Sequence, residues 1–262
     1  MIKFFRKIRL TLMNENKSTK YLKYAIGEII LVVIGILIAL QINNWNENRK
    51  EHKQAIQYLK EFKKDLQTDT LQFNYIITLL DENMQSEIKV LKQAYNGPEN
   101  LTDIWKAVSA GYNTFSREIN LKTFQKVQNS GNSTLLGFEE LYDQLSNYYI
   151  ETNRDLKIQY SFQNEQVIRN SHYLGDFLDS NGYEKKGITN EVTNSLKIEQ
   201  FPIIAKNQPP TYILKFINSV KGRNYMRDAL SRHFWIRNKY RSYKRQALDL
   251  IVMIEKELAA YD

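Results

Sequence analysis

Cysteine is absent from this 262-residue chain, and its ten glycines and four prolines are about half of what average usage supplies. Without cysteine there is no disulfide framework, thiol nucleophile, thiolate zinc site or iron–sulfur cluster. So few turn-forming residues argue against a sandwich or barrel and for long unbroken helices. Histidine is nearly missing too: His52, His172 and His233 lie far apart, with no partner at metal-ligand spacing. No G-x-S-x-G, P-loop or G-x-G-x-x-G occurs. Asp179-Ser180-Asn181-Gly182 opens like a calcium loop, but its glycine stands two places early and Asn190 replaces the closing glutamate. The sequence therefore identifies no catalytic residue, no metal ligand, no cofactor and no small-molecule substrate. What it does contain, 17 tyrosines, 12 phenylalanines and 3 tryptophans, argues against a disordered chain.

The net charge of +8 is unevenly placed. Residues 1–23 carry seven Lys/Arg against Glu15, the middle of the chain is mildly acidic, and residues 215–245 carry ten Lys/Arg against Asp228. Between the first block and the rest lies the longest hydrophobic run. Ile29 to Leu40 reads IILVVIGILIAL, and from Ala25 to Ile42 only Glu28 and Gln41 interrupt it. Eighteen helical residues span roughly 27 Å, close to the ~30 Å of a bilayer's hydrocarbon. Each Ile, Leu or Val contributes roughly −0.3 to −0.6 kcal/mol on insertion, against ~3 kcal/mol at most for one carboxylate. Insertion wins.

The flanks set the orientation. Lys3, Arg6, Lys7, Arg9, Lys17, Lys20 and Lys23 precede the span, and only Arg49, Lys50, Lys53 and Lys60 follow within twenty residues. The positive-inside rule puts the N-terminus in the cytoplasm and residues 46–262 on the far side. A cleaved signal peptide is the competing reading, opposed by the long lead and by Leu37 and Ala39 at the small-x-small positions. Phe4, Phe5, Ile8 and Leu12 share one arc of a helix among basic residues, the pattern either of a segment lying on anionic lipid or of a basic tail. Tyr21, Tyr24 and Trp45 stand where interfacial aromatics are expected. Glu28 shares a stripe with Gly35 and Ala39, small residues that let a second helix approach closely. That stripe meets a second copy or a membrane protein partner; the alternative is that Glu28 reaches the headgroups.

The run KYAIGEIILVVIGILIALQINNWNENRK (Lys23–Lys50), preceded by MIKFFRKIR, resembles the opening of a large family of uncharacterised membrane proteins from Bacteroidota. The Gly27–Glu28 pair and the Asn43–Asn46 exit carry the likeness, and FQKVQNSGNSTLLGFEELYDQLSNYY (Phe124–Tyr149) is similar to a second stretch of that family. The resemblance implies an inner-membrane protein with a periplasmic domain. It implies no activity.

Beyond the span the chain reads as helices. Leu59, Phe62, Leu66, Thr70, Phe73, Ile77, Leu80, Met84, Ile88, Leu91 and Tyr95 form one apolar stripe, ended by Asn96-Gly97-Pro98. Asn43–Asn48 weaken the preceding helix without stopping it. A short helix runs through Trp105 and Val108 to Gly111, and another over Leu121–Asn129 to Ser130-Gly131. From Gly137 a long helix carries Phe138, Leu141, Leu145, Tyr149, Leu156, Tyr160, Val167 and Leu174 to a stop at Asn181-Gly182. Residues 183–210 lose periodicity and read as a loop. Gly222 breaks or kinks the approach to the last helix. There Met226, Ala229, His233, Ile236, Tyr240, Tyr243, Ala247, Leu250 and Ile254 step alternately by three and four. His233 on that seam predicts a packed histidine.

The expected architecture is all-α: a basic segment (1–23), a transmembrane helix (24–44) and an elongated antiparallel helical bundle (45–262). The basic 215–245 block, with Phe234, Trp235 and Tyr240 among its charges, could grip single-stranded nucleic acid, but the topology excludes it from the cytoplasm. Two readings remain for it, a solvated face paired with the acidic middle of the chain or a patch meeting anionic lipid or an acidic partner. The expected role is a non-enzymatic envelope scaffold whose partners are the lipid bilayer and a second copy or other membrane protein. A sensor bundle signalling through the membrane helix is the alternative.

Overall fold

The computed structural model describes residues 18–93, 101–130, 134–175, 195 and 211–261. Among them every regular element is a helix and no strand occurs. In chain order these are α1 (Ser18–Lys92), α2 (Leu101–Ala110), α3 (Lys122–Asn129), α4 (Glu139–Gly175), α5 (Thr211–Asn218) and α6 (Val220–Leu258). The chain divides into two units, one of Met1–Gln57 with Thr134–Glu139 and the other of Tyr58–Ser133 with Glu140–Asp262. The surface segment expected within residues 1–13, the Asn96-Gly97-Pro98 stop, the Asn181-Gly182 stop and, apart from Ser195, the 183–210 loop lie outside the described residues.

The first unit contains the apolar stretch of α1. Its most apolar eighteen-residue window has a mean hydropathy of 2.6, and none of it is buried. The helix passes through Asn43–Asn48 without a break, as asparagine's modest cost to helicity allows. His52 Nδ1–H donates to the Leu136 carbonyl at 3.0 Å, and its ring stacks on Phe138 at 5.2 Å. Gly137 turns that segment with φ +88°, and a Cβ there would lie 2.7 Å from the His52 ring. Both facts require glycine. Helix α4 begins two residues beyond this glycine, where the Glu139 carboxylate accepts from Gly137 N–H at 2.9 Å.

In the second unit the apolar positions of α1, α4 and α6 are buried together with α2, α3 and α5. Phe62 packs against Tyr142 and Tyr149, and Phe73 against Tyr240 and Tyr243, with ring centroids 5.6–6.5 Å apart. Aromatic pairs of this kind add about 0.5–1.5 kcal/mol beyond their area. Val90, Ile104, Val108, Phe216, Ile217, Tyr225 and Met226 form a second cluster where α2 and α5 meet α1 and α6. All nine expected seam positions of α6 are buried, from Met226 to Ile254. The stripe of α1 is buried from Leu59 to Met84 but leaves Ile88 38% exposed, because Glu87 takes the inward position. The stripe of α4 fails beyond Leu156. Tyr160 is exposed and Val167 only partly covered, while Gln159, Gln163 and Asn170 are buried instead.

The expected break at Gly222 falls three residues earlier, at Ser219. Its backbone is extended, and its hydroxyl both accepts from Gly222 N–H at 3.0 Å and donates to the Phe216 carbonyl at 2.7 Å. Serine is a strong N-cap. Gly222 sits inside the first turn of α6, where a Cβ would fall on the Phe216 carbonyl oxygen. Glycine here permits the close approach of α5 and does not end a helix.

Candidate functional site

Helix α1 carries the residues singled out for the membrane. Gly35 and Ala39 are exposed, and a Cβ on Gly35 would meet nothing within 4 Å. Glu28 is partly covered. Among the described residues nothing covers either position. Trp45 is 61% exposed with the Arg49 guanidinium 5.3 Å above its ring, a cation–π contact. The backbones of Tyr21 and Tyr24 lie in α1, and their side chains fall outside the described residues. From Ile29 to Ile42 the large aliphatic side chains are exposed throughout. A contiguous apolar surface of this kind marks a lipid or protein contact rather than a face for water.

A second group of polar residues sits inside the other unit. Asp65 and Asp69, one turn apart on α1, hold the start of α3. Asp65 accepts from Asn120 Nδ2 at 2.7 Å, Thr123 N at 3.1 Å and Thr123 Oγ1 at 2.5 Å. Asp69 Oδ1 accepts from Asn120 N–H at 2.9 Å, and its Oδ2 is buried without a partner among the described residues. The reason is local. The N-cap of α3 is Leu121, which has no side chain to cap with, so the cap arrives from another helix. Burial pushes the Asp69 carboxyl up to about 7; the Asn120 N–H opposes this and the Asp65 charge adds to it. The phenols of Tyr148 and Tyr149 are buried nearby without hydrogen-bond partners, and burial raises both above their ordinary range, the Asp69 charge adding to the rise.

The other end of the same segment is held by Gln163. Its amide accepts from Phe115 N–H at 2.7 Å and donates to the Phe115 carbonyl at 2.9 Å, replacing both partners a neighbouring strand would give. His233, buried on the α6 seam as expected, lies 2.8 Å from the equally buried Glu87, though the pair is not aligned as a hydrogen bond. The edge of Phe115 covers it, with centroids 5.5 Å apart. Tyr225 Oη–H donates to Val108 O at 2.7 Å and the Arg232 guanidinium to Gly111 O, capping the C-terminus of α2. Gly111 follows the last residue of α2, and a Cβ there would fall on the Tyr225 phenol. Arg223 caps the end of α1 in the same way, donating to the carbonyls of Val90 at 3.0 Å and of Leu91.

Part of the basic block faces acids of the same chain. Arg237 and Arg241 both reach Asp81, at 2.8 and 3.3 Å, and Lys239 reaches Asp155 at 3.3 Å. Lys244 donates to Asn74 at 2.7 Å, and Arg223 and Arg232 serve backbone carbonyls. Three of the block's ten cations thus pair with acids of the middle of the chain, as the first reading expects. Each exposed pair contributes only about 0–1 kcal/mol. Among the described residues no three His, Cys, Asp or Glu gather as a metal site. Among the described residues, open grooves lie between Ile88 and Phe234 and between Phe124 and Lys157.

Sequence reasoning missed Asp65, Asp69, Gln163 and Glu87. One signal was present, a short helix preceded by Asn120-Leu121 with no capping residue at the right place. No curated protein and no solved structure matches the chain. Residues 28–149, from Glu28 in the apolar stretch to Tyr149 beside the Asp65–Asp69 pair, match the model of a family of unknown function (DUF6090).

Proposed function

We propose that the protein is a single-pass membrane protein whose helical extramembrane part serves as a non-enzymatic scaffold or interaction module of the bacterial envelope. One observation carries the reading: α1 has an eighteen-residue apolar window of which nothing is buried within the chain. Eighteen such residues match the hydrocarbon thickness, and the basic excess before them favours a cytoplasmic N-terminus with residues 46–262 in the periplasm. The lipid bilayer is then the first partner. A second helix, from another copy or another membrane protein, has its place on the Glu28, Gly35 and Ala39 stripe.

In this reading the second unit is an antiparallel bundle of α1, α4 and α6. Support comes from the order of pairs between α1 and α6: Lys63 with Glu255, Asn74 with Lys244, Asp81 with Arg237 and Glu87 with His233. Positions that ascend one helix descend the other. Support for a structural role is that Asp65, Gln163, Arg223 and Arg232 all hold backbone groups of this chain.

The test is extraction and proteolysis. The full chain is expected to stay with the membrane pellet at alkaline pH and to dissolve only in detergent. Protease added to intact spheroplasts is expected to digest residues 46–262. Release by alkali, or full protection of that part, overturns the reading.

A further inference from the structure

We infer that Asp69 and the turn it holds form a proton-operated latch: with Asp69 protonated the segment Asn113–Asn129 is docked on α1, and ionisation of Asp69 loosens it. The device lies wholly within the second unit and does not depend on the membrane reading.

The geometry makes the segment a strap gripped by hydrogen bonds near both ends, with the Lys126–Glu61 ion pair and the Phe124–Tyr149 ring stack as further contacts to α1 and α4. At one end the Gln163 amide grips both backbone groups of Phe115. That grip carries no charge and is indifferent to pH. At the other end Asp65 and Asp69 together receive Asn120 and Thr123. Asp65 is saturated by three donors. Asp69 has one, the Asn120 N–H, and its second oxygen is buried without a partner among the described residues. The groups facing it are Asp65 from α1, Asn120 and Thr123 from the strap, and Tyr148 and Tyr149 from α4, with Tyr243 of α6 acting on Tyr148. None of these carries positive charge. A second carboxylate one turn away and an incompletely solvated oxygen both disfavour ionisation of Asp69. The strap also forms a wall of the groove between Phe124 and Lys157, so loosening it opens that groove.

The pH window follows from the two states of the strap. Docked, Asp69 holds its proton up to about pH 7. Released into water it ionises near the ordinary value of about 3.9. Between these limits the docked state binds one proton more than the released state. Docking is therefore firmest near pH 4, weakens about tenfold per pH unit as the pH rises, and is level above about 7.

Amide hydrogen exchange of the full chain in detergent, corrected for intrinsic rates, reads this directly. Between pH 5 and pH 7 the opening constant of residues 113–129 is expected to rise by roughly two orders of magnitude. Over the same range α6 residues 246–258 are expected to change little. Asp69→Asn, which keeps an acceptor for Asn120 N–H and mimics the protonated acid, should abolish the slope and leave the strap docked at both pH values. Asp65→Asn, which removes the neighbouring charge, should move the window to lower pH. A strap whose protection is flat between pH 5 and 7 in the wild type, or a slope unchanged by Asp69→Asn, overturns the inference. Should the Asp69→Asn chain not fold, the wild-type slope and the direction of the Asp65→Asn shift still decide it. A window that fails to move, or moves upward, counts against it.

Discussion

Replacing Gln163 by leucine keeps the volume of the side chain and removes both hydrogen bonds to Phe115. Gln163 is fully buried, and Phe115 is 7% exposed, so water does not replace the lost partners. Leaving one buried backbone group unpaired costs about 1–3 kcal/mol, and here there are two. Better burial of leucine offsets about 1–2 kcal/mol of this. The net loss is on the order of 3 kcal/mol, or roughly 6–12 °C in Tm for a domain of this size. Gln163→Glu separates hydrogen bonding from packing. A glutamate can still accept from Phe115 N–H, but it must be protonated to donate to the Phe115 carbonyl. Its carboxyl therefore binds a proton more tightly folded than unfolded. The recovered stability is fully present below about pH 4.3 and is lost as the pH rises through the folded value. Thermal unfolding of the full chain in detergent, followed by far-ultraviolet circular dichroism at pH 4 and pH 7.5, should show Gln163→Leu destabilised at both. Gln163→Glu should approach wild type only at pH 4. The contribution of Asp69 cancels because wild type is measured at each pH. A leucine variant within about 1 kcal/mol of wild type, or a glutamate variant equally impaired at both pH values, refutes the role assigned to this clamp.

Other outcomes follow from single contacts. Gly222→Ala should destabilise by roughly 2–3 kcal/mol, since its methyl falls on the Phe216 carbonyl, whereas Gly35→Ala should leave the unfolding transition unchanged. Arg223→Ala should raise exchange of the amides at the end of α1, residues 86–92, and Arg223→Lys should restore only part of the protection because the fork geometry is lost. Gly35→Ile should abolish in-membrane crosslinking through α1, and unchanged crosslinking removes the helix-interface proposal.

The sequence made legible whatever depends on apolar periodicity. Helix α6 is the clearest case, because nine seam residues recur with little interruption and all are buried. The apolar stretch of α1 was equally plain, since its length and hydropathy do not depend on the rest of the fold. Periodicity failed where polar residues turn inward. On α4 beyond Leu156 the buried positions are Gln159, Gln163 and Asn170, and at least Gln163 is there because the strap at Phe115 needs partners for its backbone. Glu87 displaces Ile88 from the inward face of α1 because His233 stands opposite. The Asp65–Asp69 pair was invisible for a related reason. Two acids one turn apart read as a solvated face until the uncapped helix they serve, fifty residues away, is brought beside them. Gly222 was read as a break because glycine has two uses, turning the chain and letting backbones touch, and only the structure separates them.

The absence of native cysteine makes the central claim directly measurable. Single cysteines placed by Lys17→Cys and Lys256→Cys, on either side of the apolar stretch, are probed with a membrane-impermeant maleimide in intact spheroplasts. The account predicts labelling of the Lys256→Cys chain in intact cells and of the Lys17→Cys chain only after lysis. Labelling of both before lysis, of neither, or in the reverse order contradicts a helix that crosses the bilayer with its basic end inside.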